Sequence, residues 1–250
     1  MARNYLKQNT VFYVRPDGND TNSGLSNTSA GAFATVQRAV NYVSYNVDQT
    51  NYIVTIQLAS GSYDETVSLP SHIGWNNVTI SGSATPGEVV VKSVYSDNSR
   101  RWVLKDLELN NPAGAYCVAA LNKGTLLLNN VQFNQATTTH IWVLYGGRVA
   151  FQNDYRIVGN APRHMLVQFQ GVVRMSSLNC ALIGSRAFSA YFIGASLNSM
   201  IRATGFTFTG TATGIRYNSA ANSLITGTGA SATYFPGNAA GSTSEGGQYS

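Results

Sequence analysis

Apolar residues recur along this chain with a period near 24. From Ile56, in the run IVTIQL, equivalent apolar positions fall at Ile80, Leu104, Leu126, Val149, Val173, Ile201 and Ile225, at steps of 24, 24, 22, 23, 24, 28 and 24 residues. Within each period a second apolar pair follows: Leu107/Leu109, Val131/Phe133 and Tyr155/Ile157, again at steps of 24. A third run follows in AYCVA, THIWVLY and HMLVQF, placing Tyr116, His140 and His164 24 residues apart. Gly124, Gly147 and Gly171 introduce successive periods. Short strands in a fixed repeat, with no helical periodicity, are the mark of a solenoid. Three strands per period predict an all-β fold, a single-stranded right-handed parallel β-helix of about 24-residue coils over residues 52–228. The 28-residue step predicts an enlarged loop near RAFSAYFIGASLNS, and such insertions commonly carry function.

The two ends depart from this rhythm. Residues 1–51 hold a short strand (VFYVRP), a turn-rich loop (DGNDTNSGLSNTSAG) and then AFATVQRAVNYVSYNV. In the last segment Ala34, Val36, Ala39, Val40 and Val43 lie near helical spacing and Thr35 suits an N-cap, predicting a helix over about 34–47. An amphipathic helix there would cap the open solenoid end, which otherwise exposes core and strand edges. Over 229–250 the period fades and small residues dominate, predicting a Gly/Ser/Ala-rich tail on what is one structural domain overall.

Composition narrows the function classes. The 250 residues are 44% hydrophobic and only 11% charged, with a net charge of +5. The excess comes from scattered arginines rather than a basic run, which points away from a nucleic-acid partner. No apolar run is long enough to cross a membrane, and MARNYLKQNT lacks the apolar core of a secretory signal, so the expectation is a chain made in a cytoplasm without membrane insertion. Cys117 shares the register of Ile141 and Met165 and is expected to point inward. Cys180 lies more than two coils further on, roughly 12 Å away, so two free buried thiols are expected rather than a disulfide.

The segment FYVRPDGNDTNSGLSNTSAGAFATVQRAV resembles the N-terminal part of pectate-lyase-like right-handed β-helix proteins: an aromatic–Val strand, a DG-x-D-x-N-x-G loop and an A-F-x-T-hydrophobic-Q-x-A helix. Within that superfamily, GLSNTSAGAF and the ending YFPGNAAGSTSEGGQYS look most like bacteriophage or prophage tail-spike and tail-fibre proteins. The resemblance implies a homotrimer in the virion tail, in contact with other phage tail proteins and with host surface polysaccharide, sometimes with polysaccharide-degrading activity. It transfers no catalytic residue, because no catalytic motif matches residue by residue, and it implies no cofactor.

Four groups of residues are candidates for chemistry. Asp106, Asn130 and Asp154 stand 24 apart, which places the two carboxylates roughly 9–10 Å from each other on one edge, near the separation of an inverting glycosidase pair. Equally, polar residues stacked at a turn serve the backbone. If Ile141 and Met165 point inward, alternation turns His140, His164 and Trp142 outward, beside Tyr116. That face would give a sugar-stacking platform, with a histidine base for a lyase and Arg163 to offset substrate charge; the alternatives are burial in a trimer or a register shifted by one. Arg148, Arg174 and Arg202 alternate outward on three successive coils, as a staggered ladder for an acidic polysaccharide or as ordinary surface charge. The loop DGNDTNSG lacks the closing glutamate of a calcium site, and an Asx-turn loop packed on the helix is expected instead. No metal site is predicted, since the histidine pair has no third ligand at a recognisable spacing.

Overall fold

The computed structural model describes residues 3–250 and shows an all-β parallel solenoid of about eight turns. Ten strands stack in one parallel sheet, from Thr10–Val14 and Val54–Leu58 through Thr125–Asn129, Arg148–Phe151, Val172–Ser176 and Met200–Thr204 to Leu224–Gly227 and Gln248–Tyr249. A second parallel sheet of 13 strands closes the coil and forks. Its long strand Val89–Asp97 pairs through Val90 and Val91 with Glu108–Asn111, and through Val94 to Asp97 with Tyr116–Leu121. Beyond that fork each coil carries three strands, as the three apolar runs predict.

The inward residues form continuous buried columns. One runs Val54, Val78, Trp102, Leu126, Val149, Val173, Ile201, Ile225; its neighbour runs Phe12, Ile56, Ile80, Leu104, Leu128, Phe151. The sequence pattern steps from one column to the other: Leu104 pairs with Leu128, and Leu126 pairs with Trp102. The apparent 22-residue step is therefore a change of column by two residues on the same face, and the coil there is 24 residues long. Fully burying each such side chain contributes about 1.5–3 kcal/mol.

The helix spans Val36–Asn46, with Thr35 as its N-cap accepting from the Arg38 N–H at 3.2 Å. Val36, Ala39, Val40 and Val43 are buried against the first strands. Two carboxylates fix its start. Glu65 accepts from the Val36 and Gln37 N–H groups at 2.8 and 2.9 Å, satisfying two of the donors a helix start leaves open. Asp20 accepts from the Ala34 and Thr35 N–H groups and from the Thr35 hydroxyl at 2.8–2.9 Å. The 17–24 loop is thus an Asx-turn loop, with Asn19 Oδ1 accepting from the Thr21 N–H at 2.9 Å and Asp20 turned onto the helix. Replacing Asp20 by Ala orphans three donors to a charged acceptor, and a loss of about 2–3 kcal/mol in urea unfolding is expected. An unchanged midpoint would show that the loop does not hold the helix.

One corner of the solenoid repeats a single turn. Asn122/Lys123, Tyr145/Gly146, Phe169/Gln170, Leu197/Asn198, Ala221/Asn222 and Glu245/Gly246 all have two successive positive φ angles, the type I′ geometry. Successive turns are hydrogen-bonded to one another: the N–H groups of Lys123, Gly146, Gln170, Asn198 and Asn222 donate to the carbonyls of Tyr145, Phe169, Leu197, Ala221 and Glu245 at 2.9–3.0 Å. Gly147 closes its turn where a Cβ would stand 2.1 Å from the Ala120 carbonyl oxygen of the preceding coil.

The 28-residue coil lengthens its second strand, Asn179–Phe188, instead of forming a loop, and carries Phe188 at that strand's end into the core against His140 and His164. Asn179–Phe188 and Thr207–Gly214 pair with a register shift between Ala181 and Ser185, and their outer halves are largely exposed. The 229–250 segment continues the stack. Ser242–Thr243 pairs with Asn218 and Ser219, Gln248–Tyr249 pairs with Leu224 and Ile225, and Phe235 is buried. Tyr249 stands 24 residues after Ile225, so the small residues between them hide one further coil.

Candidate functional site

The histidine pair lies inside the solenoid, which corrects the outward placement of His140 and His164. Both rings are fully buried, and so are Ile141 and Met165. The third strand of each coil bends, so two consecutive residues point inward: Cys117 and Val118, His140 and Ile141, His164 and Met165, Phe192 and Ile193. Strict alternation fails at that bend. The register differs too, because Tyr116 pairs with Thr139 and Val118 with Ile141. Cys117 points inward as expected, but in the histidine column.

Inside, His164 is satisfied at both ring nitrogens and His140 at one. The Nδ1 atoms of His140 and His164 stand 3.1 Å apart, one donating and the other accepting, and His164 Nε2 lies 2.9 Å from the Tyr155 hydroxyl. His164 stacks between Tyr155 and Phe192, with centroids at 5.4 and 5.1 Å. His140 Nε2 has no hydrogen-bond partner among the described residues. Desolvation holds His140 down at about 3, with the Asn134 carbonyl a weak offset, and holds His164 well below the usual histidine range, helped by its neighbour His140. Burial pushes the Cys117 thiol up to about 12, and Cys180 also stays protonated; neither forms a disulfide. Neither histidine reaches solvent, so neither can accept a proton from a polymer outside.

The carboxylates are engaged by the next coil. Asp106 Oδ1 accepts from Asn130 Nδ2 at 2.7 Å, and Asp154 Oδ1 accepts from the Asn179 N–H at 2.8 Å. Asp106 and Asn130 both have positive φ, at 54° and 49°, where a short side chain that bonds locally is favoured. Asp97 accepts from Asn122, and buried Glu108 accepts from Gln132 and Asn134. Hydrogen bonds from the adjoining coil account for these acids. Among the described residues no three His, Cys, Asp or Glu side chains gather as a metal site.

Trp142, Arg148, Arg174 and Arg202 stand where alternation places them, outside the core. Trp142 is half-buried on the outer face, its ring 6.1 Å from Tyr116, and its Nε1 has no partner among the described residues. Arg163 holds its guanidinium 5.0 Å over the Tyr191 ring. That ring lies over Gly194, where a Cβ would meet it at 2.3 Å. On the ten-stranded sheet Arg148, Arg174 and Arg202 are exposed; Arg174 pairs with Arg202, while Arg148 pairs with Val172 one column away, which is the stagger expected.

Between these two faces lies the turn corner, which joins Trp142 on one side to Arg148 on the other. At its tip Tyr145 and Phe169 are 53% and 40% exposed and stack on each other at 4.8 Å, with 25° between their planes. Beside them a depression is lined by Arg100, Lys123, Thr125, Gly146, Arg148 and Gln170. Tyr145 and Phe169 occupy left-handed backbone positions, at φ 52° and 51°, that cost a bulky residue about 1–2 kcal/mol relative to glycine. At the same turn position the other coils carry Asn122, Leu197, Ala221 and Glu245, none of them aromatic. An exposed aromatic pair held at a cost to folding, beside cations with no ion-pair partner among the described residues, is the arrangement of a binding surface. Sequence reasoning missed this pair; the glycines at 124, 147 and 171 marked the turns but not what their tips carry.

Comparison with protein-family models, with curated proteins and with solved structures finds no match to this chain.

Proposed function

We propose that this solenoid is a carbohydrate-binding protein of a phage or prophage tail, a spike or fibre component that recognises host cell-surface polysaccharide. The observation that carries the reading is the exposed Tyr145–Phe169 stack beside Lys123 and Arg148. Aromatic faces give apolar contact to sugar rings, and guanidinium and ammonium groups bind hydroxyls and carboxylates. The tail assignment rests on the resemblance of the N-terminal loop and helix to tail-spike and tail-fibre proteins. A homotrimer fits the half-buried outward Tyr116, Trp142, Leu127 and Val172, which a second copy would cover. An enzyme on the same scaffold, a lyase or glycoside hydrolase, has less in its favour, because its candidate acids and histidines are occupied by neighbouring coils.

The test is binding of the purified protein to a panel of bacterial capsular and O-antigen polysaccharides, with reducing-end release measured in parallel. At least one polymer is expected to bind without cleavage. The double variant Tyr145→Asn/Phe169→Asn should weaken that binding at least tenfold, about 1.4 kcal/mol, while its melting temperature is unchanged or higher. Full affinity in the double variant would remove the corner from the site.

A further inference from the structure

The corner extends well beyond Tyr145 and Phe169. At its other end Trp75 is 77% exposed and lies against Asp48, Thr50, Asn51, Ile73, Gly74 and Arg101 in an open depression. The Trp75 N–H donates to the Thr50 carbonyl at 3.2 Å, and Arg101 Nη1 donates to the Gly74 carbonyl. One coil further, Asp97, Asn98, Asn122, Lys123 and Tyr145 line a second depression, and Lys123 also lines the third, with Arg100 and Arg148. Because Arg100 and Arg101 are consecutive and Lys123 is shared, the three depressions follow one another along a single edge. We propose that they form one track for a linear, sparsely acidic polysaccharide lying along the solenoid axis, with Trp75 at one end and Phe169 at the other. This rests on the carbohydrate-binding reading above and adds the extent of the site and the charge of its ligand.

Length and charge select the ligand. From the coil of Trp75 to that of Phe169 there are four inter-coil steps, roughly 19 Å at about 4.8 Å each. Over that length the track offers four cations (Arg100, Arg101, Lys123, Arg148) against two carboxylates (Asp48, Asp97). Both carboxylates are already engaged, Asp48 by the Thr50 N–H at 2.8 Å and Asp97 by Asn122 at 2.9 Å. None of the four cations has an ion-pair partner among the described residues. A single nucleic-acid strand carries one charge per roughly 3.4 Å, about six over this length, and would call for a denser cation array. A polymer with an acid on every second sugar matches the sparse array, and separated aromatics suit rings spaced along an extended chain.

The experiment is titration of the intact protein with four uronic-acid polymers (hyaluronan, heparosan, alginate and polygalacturonate), with neutral dextran and with oligo(dT), followed by size-graded oligomers of the tightest binder. Affinity is expected to rise with oligomer length and then level off. Trp75→Ala should weaken long oligomers at least fivefold and leave the shortest ones unchanged. Lys123→Ala/Arg148→Ala should weaken every acidic oligomer at least tenfold and flatten the salt dependence. Unchanged melting temperatures would confirm that these surface variants fold. Equal binding to dextran would overturn the acidic ligand while leaving carbohydrate binding intact. No effect of Trp75→Ala at any length would overturn the continuous track, and tighter binding to oligo(dT) would replace the ligand class. Failure of every polysaccharide here and of the capsular and O-antigen panel would overturn both readings.

Discussion

Between pH 6.5 and pH 4.5 the protein loses about 5 kcal/mol of stability through two histidines alone. His140 and His164 are buried neutral, with their native affinities for a proton held far below the ordinary range by desolvation. In the unfolded chain both titrate near 6.5. Below that value the unfolded state binds protons that the native state refuses, so stability falls as pH falls, by about 1.4 kcal/mol per unit for each histidine. The loss continues down to the native values, about 3 for His140. Since domains of this kind have roughly 5–15 kcal/mol to lose, acid unfolding is expected before the native histidines titrate. Urea unfolding at several pH values from 7 to 4.5 reads the slope, and the upper part of that window lies above the ordinary range of carboxylates. His140→Phe should halve the slope, and His140→Phe/His164→Phe should nearly remove it. A wild-type profile flat from pH 6.5 to 5 would mean that the rings are not buried neutral.

Truncating Trp102 is the second large effect. It is the largest fully buried side chain, sits between Val78 and Leu126 in the inner column, and donates its Nε1–H to the Pro70 carbonyl at 2.9 Å. Trp102→Ala removes that column's widest member and orphans the carbonyl, and about 3–5 kcal/mol of destabilisation is expected. In a chain of this size that corresponds to a fall in melting temperature of roughly 6–20 °C. Trp102→Phe keeps most of the packing and loses the hydrogen bond, so about 1–2 kcal/mol is expected. If the two variants melted together, the hydrogen bond rather than the packed ring would be what Trp102 contributes. Because each coil touches only its neighbours, hydrogen exchange should speed most in the strands flanking residue 102.

The fold was legible because a solenoid writes its core into the sequence once per coil. Val149, Val173, Ile201 and Ile225 are true column neighbours, and the 23- and 28-residue steps among them and Leu126 are real coil lengths. What misled was any inference that needed strict period-two alternation across a bend. His140 follows from that rule as an outward base and in fact lies in the core, because the third strand turns two consecutive residues inward. Trp142 and Arg163, beyond the bend on either side, stayed outside. The acids were misread for a different reason. A spacing of 24 places Asp106 and Asp154 on one edge correctly, but it does not reveal that Asn130 and the Asn179 backbone already hold them. The Tyr145–Phe169 stack was invisible because two aromatics 24 residues apart come together only through the stacked turn geometry, and no residue pattern reports that.

The lengthened coil separates two properties that most folds tie together. The register shift between Ala181 and Ser185 absorbs two of the four residues by which this coil exceeds the next, and the chain between Phe188 and Ile193 absorbs the other two. The inner columns pass beneath without a break, since Val173 still pairs with Ile201 and Ile201 with Ile225. Phe188 at the end of the first strand is buried against His140, His164 and Phe192, but residues added to or removed from Ile183–Ser185 and Gly210–Thr211, all exposed, change the outline of the molecule without reaching its core. New surface can therefore be sampled there at little cost to folding, as in a scaffold with one reserved site for grafting.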